Sequence, residues 1–287
     1  MKKPTPILFI DLAAAFNHVN RSLLFRTIRH RLPSTSNAKL FDLLQSLYSY
    51  TTSALVQTPD DYFEITNGVR QGGPESPILF NLYIDFVILV FLQKCKENNV
   101  SFLKLKYRIP SSVTHSKKVS IGTQSIDWIG YADDVALAFE DIKNLKIAIN
   151  ILNEVLETYH LEINAKKTKT MILNHQYMDD EYPAVVVRLG NNKPIENVKS
   201  FIYLGCTIKY NEPSTGDNEL EVRIDTAECK FYEIAKNLLN HKISLITRVK
   251  ILNSLVRSRL TYSCQTWTLT KKHNLDLRAC YLLIFKI

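Results

Sequence analysis

Ser125-Ile126-Asp127-Trp128-Ile129-Gly130-Tyr131-Ala132-Asp133-Asp134-Val135-Ala136-Leu137-Ala138-Phe139 is the stretch on which the reading of this chain turns. Two apolar runs flank Tyr131-Ala132-Asp133-Asp134, the pattern of a buried β-hairpin with adjacent carboxylates at its turn. Two acids there repel each other, and a packed core cannot solvate them, so the arrangement asks for a divalent cation. An Asp-Asp pair alone fits an ordinary exposed turn equally well. A third acid separates the two readings. Ile7-Leu8-Phe9-Ile10-Asp11 is a short apolar strand ending on a carboxylate. Asp11 at one strand end and Asp133-Asp134 on a neighbouring hairpin can meet on one sheet, a layout suited to two oxygen-liking cations in phosphoryl transfer.

Composition sets the frame around that cluster. The 287 residues carry 46% hydrophobic and 22% charged side chains, ordinary for a folded protein with ample core. With 36 basic and 28 acidic residues the net charge is +8 and the pI about 9.1, which favours polyanionic partners. The five cysteines, Cys95, Cys206, Cys229, Cys264 and Cys280, have no zinc-site spacing and fit reduced thiols. Asp11 interrupts the N-terminal apolar run too early for a signal peptide, and Ile78–Leu92 is broken by Asn81 and Asp85. An intracellular protein, nuclear or cytoplasmic and without membrane contact, is expected; oligomeric state is not legible.

Along the chain, helices are predicted from Asn20 to Pro33, from Asn37 to Tyr48 with Leu40, Leu43, Leu44 and Leu47 on one face, from Ile78 to about Lys96, and from Ile142 to Tyr159. Ala54-Leu55-Val56 and Tyr62-Phe63-Glu64-Ile65 read as a hairpin turned at Pro59-Asp60-Asp61. Residues 98–124, rich in lysine and serine, read as a solvated loop. Strands follow at Thr170–Leu173, Ala184–Leu189 and Phe201–Ile208. Beyond about residue 218 the pattern is helical with Arg/Lys stripes, so a linker is expected at Asn211-Glu212-Pro213-Ser214-Thr215-Gly216. The division read from this is 1–212 and 213–287.

Five segments, in order, resemble the palm of a reverse transcriptase of the non-LTR (LINE-type) retrotransposon group. They are Ile10-Asp11-Leu12-Ala13-Ala14-Ala15-Phe16; the glycine-rich loop and helix from Gly68-Val69-Arg70-Gln71-Gly72-Gly73-Pro74 to Tyr83; Tyr131-Ala132-Asp133-Asp134; Ile163-Asn164-Ala165-Lys166-Lys167-Thr168-Lys169; and Phe201-Ile202-Tyr203-Leu204-Gly205. The resemblance covers about residues 6–210. It implies an α/β (α+β) fold: an antiparallel sheet backed by helices, the palm over 1–212, then a helical, basic, thumb-like region over 213–287.

It also implies roles. Asp11 and Asp133 would bridge two magnesium ions, with Asp134 supporting them and manganese as a substitute, while a deoxynucleotide is added to the 3′ end of a DNA primer on an RNA template. Phe16 would lie beneath the incoming sugar and exclude a 2′-hydroxyl. Gln71 and Gly72 would let the chain approach the new base pair. Lys167, with Lys166 and Lys169 as rivals, would protonate the leaving pyrophosphate. Tyr203, Leu204 and Gly205 would form the primer grip.

The chain departs from the family pattern at Asn17, where an acid is usual, and at Gly73 and Glu75, where Cys and Leu are frequent. Glu75 is expected to add negative charge near template and substrate. With Met1 ten residues ahead of Asp11, the fingers are expected to be largely missing. Two rival readings follow: a truncated retroelement remnant that binds nucleic acid without catalysis, and a group II intron-type maturase whose palm serves RNA binding.

Overall fold

A computed structural model describes residues 4–31, 38–55, 57–109, 120–131, 134–173, 185–190, 192–211 and 217–284. It divides into two compact units, Met1–Val198 and Lys199–Ile287.

The first unit is built on a six-stranded sheet of order β6-β7-β1-β8-β10-β9. The strands are β1 (Thr5–Ile10), β6 (Ile129–Tyr131), β7 (Asp134–Ala138), β8 (Lys169–Leu173), β9 (Val185–Arg188) and β10 (Pro194–Asn197). All pairings are antiparallel except β8 with β10. β1 lies between β7 and β8, with Leu8 opposite both Leu137 and Thr170. Alternation along the strands sends Leu8, Ile10, Val135 and Leu137 to one face, where all four are buried.

Two long helices, Ser76–Glu97 and Ile142–Thr158, contribute to the core with those residues. Ser76–Glu97 has the length and composition of a membrane-crossing helix. Here its Leu79, Phe80, Tyr83, Ile84, Val87, Ile88 and Phe91 are buried in the protein core, and its Asp85 pairs with Arg31 at 2.6 Å. Burial pushes the Tyr83 phenol up to about 12, and its hydroxyl donates to the Tyr159 carbonyl at 2.7 Å. Ile142–Thr158 starts on an N-cap, the Asp141 carboxylate accepting from Asn144 N at 2.9 Å. All five cysteines are free thiols, and burial pushes Cys95 up to about 12.

The structure departs from the sequence expectations in four places. Residues 98–124 are not all loop: β4 (Leu103–Ile109) and β5 (Ser120–Ile126) form a hairpin paired over seven positions. Leu103, Leu105, Tyr107 and Ile109 alternate with Lys104, Lys106 and Arg108, a period-two signal outweighed by the local charge. Second, Ser125-Ile126 ends β5 rather than entering the Asp-Asp hairpin, whose first arm is only Ile129–Tyr131. That arm is an exposed edge strand, so one side of the hairpin meets solvent, and Asp134, which opens the second arm, is exposed.

Third, β2 (Thr52–Leu55) pairs with β3 (Thr58–Glu64), and Pro59-Asp60-Asp61 lies within β3 instead of forming the turn. The register shifts there, from Ala54↔Tyr62 to Leu55↔Thr58, so Pro59 sits at a break in the ladder and its missing N–H costs no ladder bond. Fourth, the helix Ala38–Tyr48 buries Phe41 and Tyr48, while Leu40, Leu43 and Leu47 are exposed. The aromatic pair, offset from the leucine stripe, packs edge-on against Phe25.

The second unit contains the hairpin of β11 (Ser200–Tyr203) and β12 (Cys206–Lys209) and the helices Asp217–Leu238, Leu245–Leu252 and Lys271–Ile284. A π-helical turn at Asn253–Arg257 carries Leu245–Leu252 on into Ser258–Leu260. Ala227, Phe231, Leu238, Leu252, Val256 and Cys280 form its separate core. The division at Val198/Lys199 falls ahead of the 212/213 boundary read from composition, because the hairpin is bonded to the helices. Thr207 N donates to Glu219 at 3.0 Å, and the Tyr262 hydroxyl donates to the Leu204 carbonyl at 2.8 Å. Of the expected linker, 212–216 lies outside the described residues.

Candidate active site

β1 delivers Asp11 to the end of the sheet. The last paired residues of β1 and β7 are Ile10 and Val135, so the register extended by one residue brings Asp11 level with Asp134. Both positions alternate onto the face opposite the helix layer. Tyr131 pairs with Asp134 and closes the hairpin; Ala132 and Asp133 lie outside the described residues. Asp11 and Asp134 are therefore brought to one rim, and nothing is described for Asp133. Among the described residues no group of three His, Cys, Asp or Glu side chains is arranged to hold a metal ion.

The lysine segment fastens onto the same strand end. Leu12 bridges Ile163, Ala13 N donates to the Glu162 carbonyl at 2.9 Å, and Asn164 N donates to the Asp11 carbonyl at 2.9 Å. Asp11 N in turn donates to the hydroxyl of fully buried Thr168 at 3.1 Å. The Asp11 backbone is thus held from two sides while its carboxylate, 27% exposed, stays within reach of solvent.

This docking separates the three lysines. Lys167 Nζ lies 3.6 Å from Asp11 Oδ1 and is otherwise exposed. Lys169 points away, bonded to Glu196 at 2.6 Å and to the Lys166 carbonyl at 2.7 Å. With Lys167 69% exposed, its pair with Asp11 contributes little stability, so its interest is positional.

Phe16, downstream of Asp11, meets the Gly68–Ser76 loop. Val69 N donates to the Phe16 carbonyl, and Gly68 N to the Val19 carbonyl, both at 2.8 Å. Gly68 has a φ of +82°, and a Cβ there would stand 2.9 Å from the Asn17 carbonyl oxygen, so no other residue fits without displacing the loop. The Phe16 ring stacks on Phe80 with centroids 4.5 Å apart and planes within 13°. Gln71 Nε2 donates to Asn17 Oδ1 at 3.0 Å, an interaction that ties the loop amide to the residue after Phe16. Gly72, at φ +86°, has no atom within 4 Å of where a Cβ would stand, so its backbone is open to approach.

The anchor of this loop was not legible in the sequence. Arg21 donates to the carbonyls of Gly68 (2.8 Å), Ile65 (2.6 Å) and Tyr48 (3.1 Å) and to the Thr51 hydroxyl (2.6 Å). Burial holds its guanidinium below the usual arginine range. Its ion sits over the Tyr48 ring at 5.1 Å, and Arg70 lies over the same ring at 5.8 Å. The Tyr48 hydroxyl lies 3.2 Å from both Glu75 Oε1 and Ser76 Oγ. Glu75 is therefore folded back over its own loop, and a Cβ on Gly73 would meet its carboxylate at 2.7 Å. Charge-assisted bonds to several carbonyls are worth more than ordinary ones, and losing them leaves partly buried acceptors unpaired. Arg21→Met is expected to lower unfolding free energy by roughly 2–4 kcal/mol, measured as a shifted urea midpoint at constant slope.

Tyr203, Leu204 and Gly205 lie in the second unit. Leu204 (φ +49°) and Gly205 (φ +76°) are the two central residues of the turn closed by Tyr203 and Cys206, both in the left-handed region. That is a type I′ geometry, for which Asn-Gly is preferred and Leu is strained. The turn is held from outside: Arg223 Nη2 donates to the Gly205 carbonyl, Tyr262 donates to the Leu204 carbonyl, and the Arg223 guanidinium lies 4.7 Å from the centre of the Tyr262 ring. Leu204→Asn is expected to stabilise the second unit by about 1 kcal/mol, read as a higher thermal midpoint.

Residues 1–208 match the family described as reverse transcriptase (RNA-dependent DNA polymerase). Over 168 residues the chain is 28% identical to the retrovirus-related Pol polyprotein from type-1 retrotransposable element R2 of Nasonia vitripennis. That alignment takes in 58% of this chain but 14% of the polyprotein's length. Among solved structures, a telomerase from Candida albicans in complex with a telomeric RNA fragment superposes with a TM-score of 0.48 at 13% identity, over 99% of this chain and 44% of that one. A telomerase from Candida tropicalis, likewise with telomeric RNA, gives 0.49 at 12% identity, over 98% and 43%.

Proposed function

The chain belongs to the reverse transcriptase family, and from that premise we propose that it is the palm and thumb-like part of a non-LTR retrotransposon polymerase that extends a DNA primer on an RNA template. One observation carries the reading: Asp11 and Asp134 come level at one sheet end, with Lys167 3.6 Å from the Asp11 carboxylate.

The donors at that rim suit magnesium. Carboxylate oxygens are the ligands a hard, reluctantly dehydrated cation takes, and an Asp11 side chain 27% exposed leaves access for its water. Asp11 and Asp134, with Asp133, would hold the ions. Bound there, they would lower the pKa of the primer 3′-hydroxyl and neutralise the triphosphate. Asp11 keeps its carboxylate in place through the backbone bonds to Thr168 and Asn164. Lys167 carries its proton at Nζ beside the site and yields it toward the departing pyrophosphate. Phe16, its ring held flat on Phe80, lies beneath the sugar, and Gln71 and Gly72 face the nascent pair. Tyr203, Leu204 and Gly205 support the primer end. Glu75, bonded to Tyr48, keeps its charge on its own loop rather than toward template and substrate.

The test is template-directed extension with a labelled primer, deoxynucleotides and magnesium. Incorporation by the wild-type chain that is lost in Asp134→Asn supports the reading. Salt-sensitive nucleic-acid binding with no incorporation in any metal would favour the non-catalytic remnant instead. A nuclear or cytoplasmic location follows from the same proposal, since that is where such a template and primer are found.

A further inference from the structure

We propose that the helices Asp217–Leu238 and Lys271–Ile284 form a docking face for a second copy of this chain, the acidic wall of one copy taking the basic, apolar helix face of the other. The proposal lies outside the polymerase reading and does not rest on it.

Between those helices runs a groove of about 540 Å³. Buried Leu220 and Cys280 and half-buried Ile224 lie along it. Helix Asp217–Leu238 contributes Glu221, Asp225 and Glu228, and Asp276 adds a fourth carboxylate from across the groove, against the one ammonium of Lys272. Glu228 is turned inward: burial, and then the Glu228 carboxylate beside it, push the Cys280 thiol up to about 11. Glu221 and Asp225 stand at the exposed rim. That wall repels phosphate, and in a chain of net charge +8 it is matched to a cationic protein surface.

Such a surface stands on the next face of Lys271–Ile284. Lys271, Leu275, Arg278 and Leu282 recur at steps of four, three and four residues, which sets them in one stripe along the helix. All four are exposed, Leu275 at 67% and Leu282 at 52%. Glu221, Asp225 and Glu228 follow the same four-three step, so the two stripes can be laid along each other with opposite charges facing. Among the described residues none of Glu221, Asp225, Lys271 and Arg278 takes part in an ion pair. In the monomer the two acids one turn apart repel each other and the leucines stay wet.

Both stripes belong to one chain, on helices that pack together through Ala227, Phe231, Cys280 and Ile284. A two-fold axis therefore satisfies them twice. Each copy offers its acids to the Lys271 and Arg278 of the other and receives the same in return, while Leu275 and Leu282 are covered. A foreign partner would use one stripe and leave the other exposed.

The test is sedimentation velocity of the whole chain, freed of nucleic acid, over about 1–100 µM. The wild-type chain is expected to pass from monomer to dimer in that range, at lower concentration when salt is reduced. Glu221→Lys with Asp225→Lys, and separately Lys271→Glu with Arg278→Glu, each set like charges opposite one another. Each pair is expected to weaken dimerisation at least about tenfold, with the thermal midpoint at the dilute end unchanged. Mixed in equal amounts, the two variants are expected to regain a dimer of wild-type strength, because a reversal on one side then meets a reversal on the other. Leu275→Gln with Leu282→Gln is expected to weaken the dimer comparably and to keep its salt dependence. A wild-type chain that stays monomeric, reversed variants that dimerise as wild type, or a mixture no more dimeric than its parts would each overturn the proposal. Mass alone is read, so failure of catalysis has no bearing on the outcome.

Discussion

Replacing Asp11 by asparagine is expected to reduce incorporation on the order of a thousandfold or more while leaving the protein folded. Asparagine keeps the main-chain bonds to Thr168 and Asn164 that seat residue 11, and it preserves side-chain volume. What it removes is the negative charge that two cations would share. Losing a metal-ligating charge withdraws several kcal/mol from the transition state, and each 1.36 kcal/mol is a factor of ten. The fold has little to lose from the change, because the Lys167 pair is solvent-screened. The paired measurements are single-turnover extension and a thermal melt. A variant retaining more than a tenth of the rate at an unchanged midpoint would falsify the assignment of Asp11.

Phe16→Val is expected to cost about a hundredfold in discrimination between deoxynucleotides and ribonucleotides, chiefly by raising the ribonucleotide kcat/KM. The argument rests on how the ring is held. A phenylalanine free to turn aside would exclude nothing, but Phe16 lies flat on fully buried Phe80, and the carbonyl of its own residue is tied to Val69 N. A fixed wall can reject one hydroxyl, and rejection by an apolar contact of this kind is worth roughly a hundredfold. Valine shortens the wall and leaves the backbone bond. Separate extension reactions with each nucleotide class give the ratio; a variant with wild-type selectivity would remove Phe16 from the sugar site.

Much of the fold could be read from the chain because its strongest signals are local. Ile7–Ile10 and Val135–Leu137 announce buried strands by composition, the apolar spacing from Ile142 onward announces a helix, and the long helix at Ser76–Glu97 shows in its apolar content. The misreadings have local causes as well. Charge masked the period-two pattern of Leu103–Ile109, and proline drew the turn of the β2–β3 ribbon too far along. Of the candidate site, the sequence pointed to Asp11, Lys167 and the Gly68–Gln71 loop. It could not show that Arg21 clamps that loop, because four acceptors from two separate segments, 48–51 and 65–68, converge on one guanidinium only after folding. Likewise nothing about Glu75 in one dimension reveals that Tyr48, many positions earlier, draws it inward. The sequence reads as one strand through Phe201–Ile208, and the strained turn at Leu204-Gly205 does not show there, since the hydroxyl and guanidinium that hold it come from Tyr262 and Arg223.

The position of β1 in the middle of its sheet has a consequence for how the protein is made. Its neighbours are residues 135–138 on one side and 169–173 on the other, so β1 is synthesised long before either partner emerges. At about 5–20 residues per second, on the order of ten seconds pass on the ribosome with Ile7, Leu8, Phe9 and Ile10 unpaired. Contact order this high makes for slow assembly and leaves a sticky nascent segment that a chaperone must shield. The strand that carries Asp11 is accordingly where translation rate and chaperone supply bear most directly on the yield of active protein.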